Sequence, residues 1–302
     1  MRTLPWLTCL TMVFVLTLPG ETSAQTPVRD ADRRQVIALL EQPVTGSMPD
    51  IARTRGPALA ALPFDGVAVA HELIADDVLG SDAAYAMLGA DESRALQLLF
   101  QSVPTSGPNV QRIAFTWFLD RYMAQSTAIN SAARAAALRT LEPVRSTAHA
   151  EAALYVLGLT GTQADTPVLE FFSTNVRTGS QGMRDASVAS LARLGSSMHL
   201  DRLRQVLDRP LPVGSTYRDG LVVASALQKA AFAAHPSLVP SVCGHVNDMP
   251  LGNLEFRLDT GRVAQLALNA IVDRVSVTHL STGTRSPSEW VAFCDGLAAP
   301  AR

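Results

Sequence analysis

His71 and Glu72 stand side by side in a stretch of helical periodicity and begin the zinc-binding pattern His-Glu-x-x-His. That motif needs its second histidine one helical turn on, so that two imidazoles face one metal. Position 75 is alanine, which leaves the set one ligand short, and His71 reads as an ordinary helix histidine. His199 and His235 suggest a different arrangement, because they fall 36 residues apart at the same place in what prove to be consecutive copies of one unit. Packed helices lie about 8 to 10 Å apart, whereas zinc takes nitrogens within about 2.1 Å. The two rings would have to converge to share an ion. A common role in the turn of a repeated unit explains them better, and neither a metal nor another cofactor is expected.

The carboxylate pairs Asp76-Asp77 and Asp91-Glu92 have the composition of an acid-base couple. Neighbours on a helix point about 100° apart, and acidic residues at these places suit helix ends and caps. Phe115, Trp117, Phe118 and Tyr122 form the densest aromatic group, yet Phe115, Phe118 and Tyr122 recur at the spacing of one helix face, which predicts packing instead of a stacking platform. The nucleophile elbow Gly-x-Ser-x-Gly, the phosphate loop Gly-x-x-x-x-Gly-Lys and the Gly-x-Gly-x-x-Gly turn do not occur in the chain. No catalytic residue is therefore assigned. An enzyme whose site is assembled from distant residues, including the Pro- and Gly-rich segment Pro43 to Gly66, stays open as an alternative.

The elements that would have to position any site are best seen at Gln181 to Pro210. Val188, Leu191 and Leu194 make one apolar stripe, and Leu200, Leu203, Val206 and Leu207 make a second. Gly195 ends the first helix, Ser196 or Ser197 can cap the next, and Asp208-Arg209-Pro210 closes it. A hairpin of two amphipathic helices cannot bury both stripes alone and has to stack on copies of itself. Copies follow and precede it: Leu227, His235, Val239 and Cys243 each come 36 residues after Leu191, His199, Leu203 and Leu207, and Leu157-Gly158 comes 37 before Leu194-Gly195. Thr166-Pro167 opens the second helix of that earlier copy. Leu88-Gly89, followed by the stripe Leu96 to Phe100, begins the series, and a divergent pair lies between.

At the N-terminus, Arg2 is followed by an apolar run from Leu4 to Leu18, then Pro19-Gly20 and Thr22-Ser23-Ala24, the pattern of a secretory signal peptide over residues 1–24. The run is shorter than the roughly 20 residues a spanning helix needs, and no later stretch qualifies. A periplasmic or secreted protein is expected. Residues 25–66 read as a cap helix beginning near Asp30 and an irregular segment, 67–275 as the repeat array, and 276–302 as a closing helix and tail. The net charge of −2 provides no basic field for nucleic acid or anionic lipid. Once Cys9 leaves with the signal peptide, Cys243 and Cys294 remain, the right number for one disulfide in an oxidising compartment. Two separate buried thiols are the alternative.

Arg184 to Leu207, with its Arg-x-x-Ala…Ala-x-x-Leu-Gly first helix and Leu-x-x-Leu second, resembles the HEAT repeats, in particular the short bacterial HEAT-like kind. Ala152 to Phe172 and Tyr217 to Cys243 are similar, Ser81 to Gln101 and Val110 to Val144 less so, and Gly261 to Val275 has a first helix only. The capped, tryptophan-bearing segment Ser286 to Trp290 looks like a closing helix. The resemblance implies an all-α fold, a right-handed α-solenoid of about five or six helical pairs, and a binding surface in place of chemistry. Second helices line the concave side of such arrays, so Asp201, Arg202, Gln205 and Asp208 would be presented to a protein or peptide partner, with Glu170 and Arg177 one repeat earlier. An exported scaffold that binds through this face is the expected function. A solvated polar face on a structural envelope component is the plainer alternative.

Overall fold

The computed structural model describes residues 29–44, 48–103, 105–122, 125–142, 147–174, 180–212, 214–252, 257–273 and 285–298. Residues 1–24, expected to be a signal peptide, and Arg177 lie outside them. The described residues fold almost entirely into helices, α1 Asp30–Leu40 through α15 Pro287–Ala298. One departure is a two-residue antiparallel ladder, β1 Leu251–Gly252 with β2 Arg257–Leu258, in which Leu251 faces Leu258. Both leucine side chains rest against the backbone at Gly220, where an added Cβ would come within 2.6 and 3.0 Å of them. An all-helical expectation misses this clip because it is too short for an alternating pattern to show.

The helices follow one another in pairs: α4 Gly80–Ala90 with α5 Glu92–Gln101, α6 Pro108–Arg121 with α7 Thr127–Leu141, and α8 Thr147–Thr160 with α9 Thr166–Thr174. Then come α10 Gln181–Arg193 with α11 Ser197–Leu207, α12 Tyr217–Ala233 with the short α13 Val239–Cys243, and α14 Thr260–Val272. Short polar side chains begin many of them by accepting an N–H that has no partner inside the helix. Asp65 accepts from Ala68 N–H, Asp91 from Arg94, Ser180 from Met183 and Asp259 from Arg262. Thr216 and Asp219 close a reciprocal capping box at α12. Gly195 leaves α10 at φ +87, the left-handed conformation that ends a helix without a Cβ clash.

The Pro- and Gly-rich stretch, read as the least regular region with only weak helical stretches around Asp50 to Arg55 and Ala58 to Leu62, holds one continuous helix, α2 Met48–Ala60, with Pro57 inside it. Its glycine is a contact residue. A Cβ on Gly56 would stand 2.3 Å from the carbonyl carbon of Gly89 on α4, so the two backbones pack almost directly on each other. Tertiary packing overrides the poor helix propensity of these residues. The next helix, expected over Val67 to Val78, is α3 Gly66–Glu72, and turns occupy residues 73–79. On the other side, Arg55 is almost fully buried and reaches Asp82 at 2.5 Å.

Two apolar cores run along the chain, one from Val36 to Leu191 and one from Ala192 to Cys294, and they meet on α10. Alanines such as Ala84, Ala133, Ala153 and Ala186 are wholly buried, which lets helices approach, and leucines and phenylalanines fill the space between them. Phe100, Phe115 and Phe118 form the aromatic centre of the first core, with the Phe100 and Phe118 rings 5.7 Å apart and edge-on. Polar links stitch neighbouring pairs at reaches close to the repeat length. Ser190 Oγ donates to Leu154 O across 36 residues, Tyr122 Oη to Leu159 O across 37, and Arg193 Nη1 to Phe232 O across 39. His245 lies within the second core, its Nε2 2.7 Å from Leu207 O and its Nδ1 2.7 Å from Asp248 Oδ2.

The closing helix α15 is fixed from two directions. Trp290 is fully buried and donates Nε1–H to Asn269 Oδ1 on α14 at 2.9 Å. The sulfurs of Cys243 and Cys294 are at bonding distance, 2.08 Å, with the Cα atoms 5.4 Å apart.

Candidate functional site

Helices α10, α11 and α12 leave an open groove of about 430 Å³ between them. Its shape follows from the sequence of α12, YRDGLVVASALQ, in which Val223 and Leu227 already serve the core. Leu221 and Val222 are surplus to that stripe and remain 44% and 57% exposed. They line the groove together with Val188 from α10 and Leu203 and Val206 from α11. Exposing two branched aliphatics side by side on a helix costs solvation free energy unless something covers them.

Charge is arranged unevenly around this apolar strip. Lys229 Nζ lies 3.0 Å from Asp185 Oδ1, joining α12 to α10, and also donates to Ser225 Oγ at 2.7 Å. Gln181 Nε2 donates to the same Asp185 oxygen at 2.9 Å. Arg202 on α11 and Arg218 on α12 also line the groove, and both are exposed. Among the described residues neither guanidinium is held in an ion pair. The lining thus carries three cations against one carboxylate, on a chain whose net charge is −2.

The residues expected to present a polar face divide between two surfaces. Asp201, Arg202, Gln205 and Asp208 are all exposed on or at the end of α11. Only Arg202 reaches the groove. Asp201 is turned along its own helix, where Arg204 Nη1 pairs with it at 2.5 Å, and Gln205 and Asp208 lie i+4 and i+7 from it on the same exposed side. Glu170 is exposed on α9, and its backbone carbonyl accepts the hydroxyls of Ser173 and Thr174. The residues that sequence reasoning passed over are Asp185, Arg218, Leu221, Val222 and Lys229. The signal was the run Leu221-Val222-Val223, three consecutive apolar residues of which only Val223 is buried.

His199 and His235 serve their own turns. His235 Nδ1 accepts the Ser237 N–H at 3.3 Å and caps the one-turn helix before α13. His199 is fully buried, with Nδ1 2.9 Å from Ser196 Oγ; desolvation, and after it the nearby Arg202, lower its pKa, so the ring is neutral. His71 Nε2 contacts Ser102 Oγ at 2.6 Å, and burial lowers its pKa too. Among the described residues no three His, Cys, Asp or Glu side chains converge on a point where a metal could sit. No described helix is long and apolar enough to cross a membrane.

No family model, no curated protein and no solved structure matches this chain.

Proposed function

We propose that this protein is an exported binding scaffold, a right-handed solenoid of five or six HEAT-like pairs that takes up a protein or peptide segment between neighbouring repeats. The observation that carries the reading is the groove between α10, α11 and α12, where exposed Leu221 and Val222 stand beside two arginines outside any described ion pair. Hydrogen bonds that join helices 36 to 39 residues apart support the stacked arrangement. In this reading Arg202 contacts the ligand, and the Asp201, Gln205, Asp208 stripe borders it on the concave side.

A surface this open suits a chain segment better than a small molecule. Pockets for small ligands enclose most of the ligand's area, whereas a peptide brings its own backbone and flanking residues as cover. Selection of displayed random peptides on the purified protein tests the reading. Enriched peptides should bind the wild type and lose about tenfold or more in affinity against Leu221→Gln/Val222→Gln, whose exposed positions leave the fold intact. Failure to enrich any peptide, or equal binding to the variant, overturns it. Export is checked separately by N-terminal sequencing of the protein from its native cell, with a start at Gln25 expected.

A further inference from the structure

The apolar strip and the unevenly paired charges of the groove say what kind of segment would fit. Resting on the scaffold reading above, we infer that the groove between α10, α11 and α12 recognises an acidic amphipathic peptide, with aliphatic side chains on Leu221, Val222 and Val206 and carboxylates on Arg202 and Arg218.

Charge complementarity selects the acidic partner. Lys229 is already engaged by Asp185 and Ser225, so its charge is met within the protein. The guanidiniums of Arg202, on α11 beside Leu203 and Val206, and of Arg218, on α12, are the groove's cations outside any described ion pair, although Arg218 also acts on the exposed Asp219 next to it. Arginine presents a planar fork of donors that matches a carboxylate in two-point contact. A ligand carboxylate set against either would replace hydration with a charge-assisted pair beside an apolar surface, where screening is weaker than in open water. A basic segment would meet like charge, and like-charge juxtaposition opposes docking.

The aliphatic part of the ligand follows from area. Leu221 and Val222 together expose a short strip with no aromatic residue on it, which fits leucine- or valine-sized side chains at alternate positions of an extended strand or one face of a helix. The probes are three fluorescein-labelled synthetic peptides: one alternating glutamate with leucine, its glutamine-for-glutamate analogue, and a glutamate-serine analogue without leucine. Fluorescence anisotropy is read at low and at physiological salt against wild type, Arg202→Gln/Arg218→Gln and Leu221→Gln/Val222→Gln.

The glutamate-leucine peptide should bind wild type, bind more weakly at the higher salt, and lose about tenfold or more against either double variant. The two analogues should bind at least about tenfold more weakly than it does. If glutamine and glutamate peptides bind alike, or the arginine variant binds the acidic peptide as wild type does, the inference falls. The scaffold reading then stands or falls on the displayed peptides alone. If display yields groove-binding peptides that are uncharged or basic, the inference is overturned while the scaffold survives. If Leu221→Gln/Val222→Gln instead abolishes self-association in sedimentation and no peptide binds, the occupant is a second copy of the chain and the inference is wrong.

Discussion

Lys229 reaches across from α12 to meet Asp185 on α10, Nζ to Oδ1 3.0 Å, and it is the chain's single lysine. Its side chain is 15% exposed and that of Asp185 27%, so the pair is neither fully wet nor sealed. A partly shielded pair that also carries hydrogen bonds to Ser225 and Gln181 should be worth more than an isolated surface bridge, which contributes roughly 0.2 to 1 kcal/mol. A double-mutant cycle with Lys229→Met and Asp185→Asn, read by urea unfolding, should return a coupling of about 1 kcal/mol. Additive single effects would show that the two helices are held by packing alone.

The bond between Cys243 and Cys294 closes a segment of 51 residues around α14 and the head of α15. In the chain-entropy treatment a loop of that size stabilises the folded state by up to about 4 kcal/mol. Cys243→Ala/Cys294→Ala should therefore lower stability by roughly 2 to 4 kcal/mol. Because Trp290 is fully buried four residues before Cys294, its fluorescence should shift to the red in the variant before the far-ultraviolet helix signal is lost. Simultaneous loss of the two signals would mean that α15 does not loosen by itself.

Where α2 meets α4 there is no room for a methyl group. A Cβ on Gly89 would stand 1.9 Å from the carbonyl oxygen of Ala52, and backbone cannot swing aside as a long side chain can. Gly89→Ala should destabilise the protein by about 2 to 3 kcal/mol through forced separation of the helices. Gly296 on α15 has nothing within 4 Å, so Gly296→Ala should be neutral or stabilising by up to about 1 kcal/mol. Thermal melts of the two variants compare them directly, and equal midpoints would refute the close contact.

Asp165 is 3% exposed and receives two bonds from Arg134, Nε at 2.8 Å and Nη2 at 2.6 Å. Burial on its own would raise the carboxyl pKa, but Arg134 and the Thr162 N–H outweigh it and the net direction is downward. A lowered carboxyl contributes stability above its unfolded pKa of about 3.9, and that contribution is lost as the pH falls through the folded value. Asp165→Asn should cost about 2 to 3 kcal/mol at neutral pH and progressively less toward pH 2. A difference from wild type that does not change with pH would show that the carboxylate's charge is irrelevant.

The helical pairs were legible because leucine stripes, glycine stops and short polar caps are local signals, and the 36-residue register from Leu191 to Leu227 and from Leu207 to Cys243 is a signal repeated. α2 was legible only as two weak stretches, because Gly56 and Pro57 between them have the appearance of breakers and their use as a contact surface depends on Gly89, 33 positions away. The groove was half visible. Arg202 stood out as a polar residue off the apolar stripe, but its separation from Asp201 onto another flank depends on how α12 docks. Lys229 and Asp185 carry no motif at all, since two oppositely charged residues 44 positions apart become a pair only when α10 and α12 are laid side by side.

The similar reach of the side-chain bonds, from Ser190 to Leu154 and from Arg193 to Phe232, governs how the molecule would respond to tension applied at its ends. Each of these bonds joins a pair of helices to the next, while a ring contact such as Tyr155 with Phe232 reaches past an intervening pair, so load passes chiefly between neighbours and the weakest stretch yields first. Pulled lengthwise, the chain should give way in a succession of small steps. Its last section is the exception: between Cys243 and Cys294 the backbone is bypassed by a covalent tie, and that length of polypeptide stays hidden from the extending chain until the tie is reduced.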